Sequence, residues 1–189
     1  MLKKKILAAT LLAVSTVLSA QASAQSFLGG TVGRANWNID CAGSDACTKN
    51  AGGYKLFGGY EYNQTFSVEA SYVYLNEVTA RVSNISGSVS ARGLDLTGVF
   101  KTPSYNKFRG FGKIGVSYLK GELGARVGNF SGSESGYSTQ AVFGFGALYE
   151  LDKNVSVRAE FDRHRVRAAA LNDMTSNVNM FSIGLQSSF

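Results

Sequence analysis

The chain has 189 residues, a formal net charge of +6, 22 glycines, a single proline and a mean hydropathy of −0.02. This length predicts one domain, the modest charge argues against a nucleic-acid surface, and the glycine-rich, proline-poor composition fits many twisted strands better than a helical protein. No stretch approaches about 20 consecutive apolar residues, so no helical membrane span is expected.

At the start of the chain, Met1 to Lys5 holds three lysines. The run from Ile6 to Ala20 is apolar apart from Ser and Thr, and Ala22-Ser23-Ala24 supplies small residues. This pattern predicts a secretory signal peptide over residues 1–24, cut after Ala24, with a single domain over 25–189. Losing it removes three of the 19 Lys and Arg against 13 acids, so the mature excess of positive charge is small. In an exported chain the close pair Cys41 and Cys47 predicts a disulfide, stabilising by roughly 2 kcal/mol. That segment has no His and no second cysteine pair, so no metal or other cofactor is expected.

The rest of the chain alternates with period two. A first strand runs from Ser26 to Asn38, its outward face left open by a Gly-rich start, and a long polar loop covers Ile39 to Gly53. The second strand, Tyr54 to Tyr62, sets Tyr54, Leu56, Gly58 and Tyr60 against Lys55, Phe57, Gly59 and Glu61; Asn63 and Gln64 turn it back. The third sets Phe66, Val68, Ala70, Tyr72 and Tyr74 against Ser67, Glu69, Ser71 and Val73. A loop is expected at about Asn76 to Ser88. The fourth strand opposes Leu94, Leu96, Gly98 and Phe100 to Gly93, Asp95, Thr97 and Val99, and Thr102 to Asn106 forms a turn around Pro103. The fifth opposes Phe108, Ile114, Val116 and Tyr118 to Arg109, Phe111, Lys113 and Ser117, and Lys120 to Gly136 follows as a Gly- and Ser-rich loop.

Strands six and seven form a hairpin around Asp152, Lys153 and Asn154. One side of the sixth carries Ala141, Phe143, Phe145, Ala147 and Tyr149. The seventh places Ser156, Arg158, Glu160, Asp162 and His164 on one face and Val155, Val157, Ala159 and Phe161 on the other. Charges of both signs alternate on one face while aromatics and small residues fill its opposite, which suggests an inside-out sheet with lipid on the apolar side. Val166 to Ser176 is the fourth loop, and Val178 to Phe189 the last strand. Eight antiparallel strands, short turns at one end and four long loops at the other describe an all-β, up-and-down transmembrane barrel of a Gram-negative outer membrane.

Phe57-Gly58-Gly59-Tyr60, the Glu69 strand after the Asn63 turn, Val157-Arg158-Ala159-Glu160-Phe161 and the closing strand ending in Phe189 together resemble the transmembrane barrel of OmpA-type proteins. The resemblance spans essentially the whole mature chain. It implies a monomeric eight-stranded barrel of the cell outer membrane, inserted by the barrel-assembly machinery. The chain ends with the barrel, so the wall anchoring of full-length relatives is not expected, and Ser187 stands where the family's terminal signal usually has an apolar residue.

Counted from the short turns, Glu69, Asp95, Lys113, Arg158 and Glu160 fall near mid-height on the polar face. Buried charges must pair, so these are read as an interior network in which Arg158 is held by Glu69 or Glu160, either a packed polar plug or a gate in a small ion pathway. His164, the only histidine, follows Asp162 on the same face and invites an acid–histidine catalytic reading. The sequence lacks the His-x-Ser pattern of lipid A deacylases and the leading helix of palmitoyltransferase barrels, so no enzyme is expected. Arg163, Arg165 and Arg167 continue the outward face at the loop end, at the height of lipopolysaccharide phosphates. The expected role is structural or surface-interacting, with outer-membrane lipids and lipopolysaccharide as neighbours and a host or surface ligand at the loops. A low-conductance porin and a lipid A-modifying enzyme are the alternatives.

Overall fold

The computed structural model describes residues 25–39, 41–128, 130–168 and 174–189. The expected export signal lies outside the described residues. Nine strands follow in chain order: β1 (Gln25–Trp37), β2 (Ala46–Cys47), β3 (Asn50–Glu61), β4 (Phe66–Val82), β5 (Ile85–Lys101), β6 (Phe108–Val127), β7 (Phe130–Asp152), β8 (Val155–Ala168) and β9 (Met174–Ser188). Apart from the two-residue β2, each pairs antiparallel with its neighbour along the chain. β1 also pairs with β9, from Phe27 opposite Ser188 to Trp37 opposite Val178, which closes the sheet into an eight-stranded barrel. Closure is what lipid demands, because an open edge would leave backbone N–H and C=O groups without partners in hydrocarbon.

The barrel is inside out relative to a soluble sheet. Leu28, Leu56, Leu94, Ile114, Phe145 and Ile183 are more than half exposed on the outer wall, whereas Lys55 and Glu69 are each 1% exposed within. On β1 the odd positions Phe27, Thr31, Ala35 and Trp37 are buried and the even positions Leu28 and Val32 face outward, which assigns the face the sequence leaves open. Aromatic pairs ring both ends of the apolar band. Phe66 stacks with Tyr62 and lies tilted 5.2 Å from Phe100 on the short-turn side, and Tyr118 lies 5.4 Å from Tyr137 on the other.

Three inward rings pack by a shared device. Phe57 lies opposite Gly29, Phe27 opposite Gly59 and Phe111 opposite Gly146. A Cβ built on any of these glycines would meet the facing ring at 2.3–2.5 Å, so the missing side chain is the space the ring occupies.

Two of the four expected loops are strands. β4 and β5 continue across the stretch read as Asn76 to Ser88, with Val82 opposite Ile85, and β6 and β7 continue across Lys120 to Gly136, with Val127 opposite Phe130. Only two residues turn each hairpin, and Ser83 (φ 51°) and Gly128 (φ 57°) adopt the left-handed conformation that such turns require. Beyond the bilayer neither face of a strand has to be apolar. Hydropathy alternation therefore disappears while the backbone ladder goes on, and a Ser- and Gly-rich strand reads as a loop. The fourth connection is also shorter than expected, since Val166 pairs with Ser176 and Ala168 with Met174. The first is shorter than expected too, because β3 already pairs with β1 from Asn50, and what remains of it is closed by the Cys41–Cys47 disulfide with a Cα–Cα distance of 5.9 Å. Its β2 adds to the outer edge of β4, with Cys47 opposite Ala80.

Candidate functional site: a sealed charge cluster in the barrel

Alternation places one inward residue at every second position of each strand, and tilt brings residues of distant strands to one height. β8 contributes three successive inward charges, Arg158, Glu160 and Asp162, which face Lys55 of β3, Glu69 of β4 and Lys113 of β6. All six are at most 6% exposed.

Arg158 is the hub at the lower side. Its Nη1 donates to Glu69 Oε2 at 2.7 Å and to Gln186 Oε1 at 3.1 Å, and its Nε donates to Glu160 Oε2 at 3.0 Å. The guanidinium lies between the rings of Phe57 and Phe111, 4.2 and 4.6 Å from their centroids, so its faces meet π-systems while its edges meet carboxylates. Lys113 Nζ bridges Glu160 Oε2 at 3.0 Å and Asp162 Oδ1 at 2.7 Å. Lys55 Nζ donates to Asp162 Oδ2 at 3.0 Å and contacts Glu160. Three cations thus meet three carboxylates, the balance a dry cluster needs, since one unmatched ion would carry a desolvation cost of several kcal/mol.

Of the five interior residues singled out from sequence, Glu69, Lys113, Arg158 and Glu160 meet in this cluster. Asp95 binds elsewhere: its Oδ2 lies 2.8 Å from His164 Nε2 and its Oδ1 accepts from Ser117 Oγ. The sequence reading missed Lys55 and Asp162 as members. Both carried a signal, because each alternates on the polar face of its strand. Asp162 was instead associated with His164, yet residues i and i+2 of a strand stand about 7 Å apart along it. His164 is fully buried and meets a carboxylate from β5, while Asp162 is taken up by the two lysines.

Apolar layers close the cluster from both sides. Toward the loops, Ala35, Trp37, Val73, Leu75, Ala91, Leu119, Val178 and Met180 form one buried cluster. Toward the short turns lie Phe27, Phe57, Phe111, Val99 and Leu148. Near that mouth Lys101 pairs with Glu61, and Arg109 Nη2 lies 3.6 Å from Glu150 Oε1.

Outside the band, the proposed rim residues follow β8. Arg163, opposite Phe143, is half-buried, Arg165 is exposed, and Arg167 pairs with Thr175 along the backbone. On the extended hairpins a polar hollow of about 520 Å³ is lined by Thr48, Glu77, Arg81, Ser88, Arg126 and Ser131 among others. Lower on the same extension, Glu122 accepts from Lys120 at 2.8 Å and from Arg92 at 2.9 Å. The lysine hydrogen bond and the arginine charge together hold its carboxyl below the usual glutamate range.

Residues 10–189 match the model of the family described as outer membrane protein beta-barrel domain. Outer membrane protein A of Shigella flexneri is 25% identical over 114 residues, covering 60% of this chain and 33% of that protein, so the chain spans about a third of the relative's length. Among solved structures, the attachment invasion locus protein Ail of Yersinia pestis superposes with a TM-score of 0.60 at 17% identity, covering 89% of this chain and all of that one. Neisserial surface protein A gives 0.61 at 12% identity with the same coverages, and OprG of Pseudomonas aeruginosa 0.59 at 13%, covering 89% of this chain and 97% of that one. With a closed inside-out barrel and a family match over nearly its whole length, the chain belongs to the outer membrane protein beta-barrel domain family.

Proposed function

We propose that this protein is a surface protein of the outer membrane, in which the barrel is an anchor for the external sheet and loops and not a conduit for solutes. The observation that carries this reading is the position of the charge cluster between two apolar layers, with its three cations and three carboxylates matched to one another. An eight-stranded barrel is narrow enough for its side chains to fill it, and here they do so with matched charges and rings. The buried position of His164, bonded to Asp95 and opposite Val178 of the apolar layer, likewise supports a non-catalytic role, since a lipid substrate would have no path to it.

In this reading residues 1–24 direct export, the barrel-assembly machinery inserts a monomer, and the outward Arg163, Arg165 and Arg167 meet lipopolysaccharide phosphates. Contact with an external anionic ligand is supported by Arg81 and Arg126 at the hollow of the extended hairpins, and by the known complex of Ail with the heparin analogue sucrose octasulfate. Planar-bilayer recording tests the central statement. The purified protein is expected to give no discrete openings, whereas stable unitary steps would favour the low-conductance porin. Lipid A mass spectra should be the same with and without the protein; a new acylation pattern would favour the enzyme.

A further inference from the structure

Two segments of the chain repeat each other. Residues 80–88 read ARVSNISGS and residues 125–133 read ARVGNFSGS, the same at seven of nine positions. Each segment is the tip of an external hairpin, β4–β5 in the first case and β6–β7 in the second, and because β5 pairs with β6 the two tips stand side by side. Val82 lies opposite Ile85, Ile85 opposite Val127 and Val127 opposite Phe130, so four apolar side chains form one row on one face across four strands. One level lower, Arg81, Ser86, Arg126 and Ser131 form a row on the other face. Gly128 N donates to Asn84 O at 3.2 Å and ties the tips together, and Ser83 N donates to Asp45 Oδ2 at 2.6 Å and ties them to the disulfide loop.

The apolar row stands in water. Val82, Ile85 and Val127 are about half exposed and Phe130 is 86% exposed, and the next level on that face holds only Ala80, Gly87, Ala125 and Gly132, too small to cover it. The barrel's own bilayer does not reach it, because Val127 lies along β6 from Tyr118 of the aromatic ring by roughly 30 Å at the rise of an extended strand. A contiguous apolar row of this kind marks a contact site. Its surroundings are cationic. Arg81 and Arg126 are exposed one residue back from the row. Among the acids described on this extension, Asp45 holds the Ser83 amide and Glu122 is paired with Lys120 and Arg92, while Glu77 and Glu134 lie further down β4 and β7. Two arginines against Asp45 leave the tip net positive.

We propose that the paired tips dock on a second, anionic lipid bilayer apposed to the cell surface, with Val82, Ile85, Val127 and Phe130 entering the boundary between headgroups and acyl chains and Arg81 and Arg126 binding headgroup phosphates. Apolar area and basic charge add in such interfacial binding. A lipid surface fits this row better than a folded protein does. The convex end of two tight turns offers a single line of side chains, far less than the roughly 800 Å² that each partner buries in a stable protein interface, whereas hydrocarbon needs no complementary shape. Entry is shallow, since the turn backbone at 83–84 carries polar groups that hydrocarbon cannot satisfy. Duplication matters because two weak tips on one surface bind together. The proposal rests on the surface-protein reading and names a partner for it; inert tips on a non-conducting barrel would remove the proposal and leave that reading standing.

The experiment holds the full mature protein in phosphatidylcholine nanodiscs and adds free vesicles of phosphatidylcholine with or without phosphatidylglycerol. Loaded discs are expected to float with the anionic vesicles and empty discs to stay behind. A Phe130→Trp reporter should shift to the blue on mixing, against a constant background from Trp37, the one native tryptophan, which is 1% exposed. The double variant Ile85→Ser, Phe130→Ser should bind at least tenfold more weakly, as about two apolar side chains are lost to the interface. Arg81→Gln with Arg126→Gln should lose roughly tenfold on anionic vesicles and little on neutral ones. Both variants change exposed tips and should keep the heat-dependent gel shift of the barrel. No flotation of the unmodified protein, or flotation unaltered by the serine variant, overturns the lipid contact, and equal flotation with both kinds of vesicle overturns the headgroup contact. A blue shift with an unfolded polypeptide such as carboxymethylated casein, and none with vesicles, overturns the bilayer in favour of a polypeptide partner.

Discussion

Arg158 binds two carboxylates and an amide oxygen while lying between two phenylalanine rings, so its replacement disturbs five contacts at once. Arg158→Ala leaves Glu69 and Glu160 facing only the two lysines, and opens a space between Phe57 and Phe111. Breaking a buried pair in this way costs about 3 to 5 kcal/mol where the site is dry. The variant should therefore unfold at a clearly lower urea concentration. An unchanged midpoint would mean that water reaches the cluster and screens it. Gly146 is a sharper steric test. A Cβ there would stand 2.5 Å from Phe111 Cζ and 2.4 Å from Ala159 O, so Gly146→Val must expel the ring from its place against Arg158. A loss of about 1–3 kcal/mol is expected by equilibrium unfolding, and a neutral result would show that the ring has another berth.

At the scale of elements, the extended hairpins and the disulfide loop behave as separate units. In the double variant Cys41→Ser, Cys47→Ser, the cover of β4 loses a constraint worth roughly 2 kcal/mol in its own unfolded ensemble, while the barrel ladders are untouched. The amides of Asp45 and Thr48, which donate to Arg81 and Thr79, should then exchange faster, and the barrel amides should keep their rates. Loss of the folded barrel in this variant would show that the bridge acts in assembly as well as in the loop. The same experiment on the unmodified protein separates a ladder from a loop. Amides paired between β5 and β6 from Ile85 to Ser90 should be protected although three serines and a glycine give the run a loop-like composition.

For the whole molecule, closure is the decisive property. A sheet whose first and last strands pair over the length of β1 resists detergent until it is heated, because no strand can leave without opening two ladders at once. Unheated protein should migrate as a compact species on a detergent gel and shift on boiling. Equal mobility in both samples, with recovery in a soluble fraction, would contradict a closed membrane barrel.

Period-two alternation from Tyr54 to Phe189 was enough to determine the strands within the membrane, the lipid-facing side of each and the inward direction of Glu69, Asp95, Lys113, Arg158 and Glu160, because alternation is a local property of extended backbone. It failed where lipid stops, at 76–88 and 120–136, since polar side chains on both faces erase the pattern without interrupting the ladder. Matching opposite charges at mid-height puts Arg158 with Glu69 or Glu160, and it binds both, although Glu69 is 89 positions away; the pairing of Asp95 with His164 and of the lysines with Asp162 was not legible in that way. Those partnerships depend on how far each strand is staggered when the sheet closes, a quantity set jointly by strand tilt and the β1–β9 register. The end of the β7–β8 ladder at Val142 opposite His164, beyond which β7 runs on with β6 and β8 with β9, is likewise a tertiary fact, because pairing between two strands is not a local property of either.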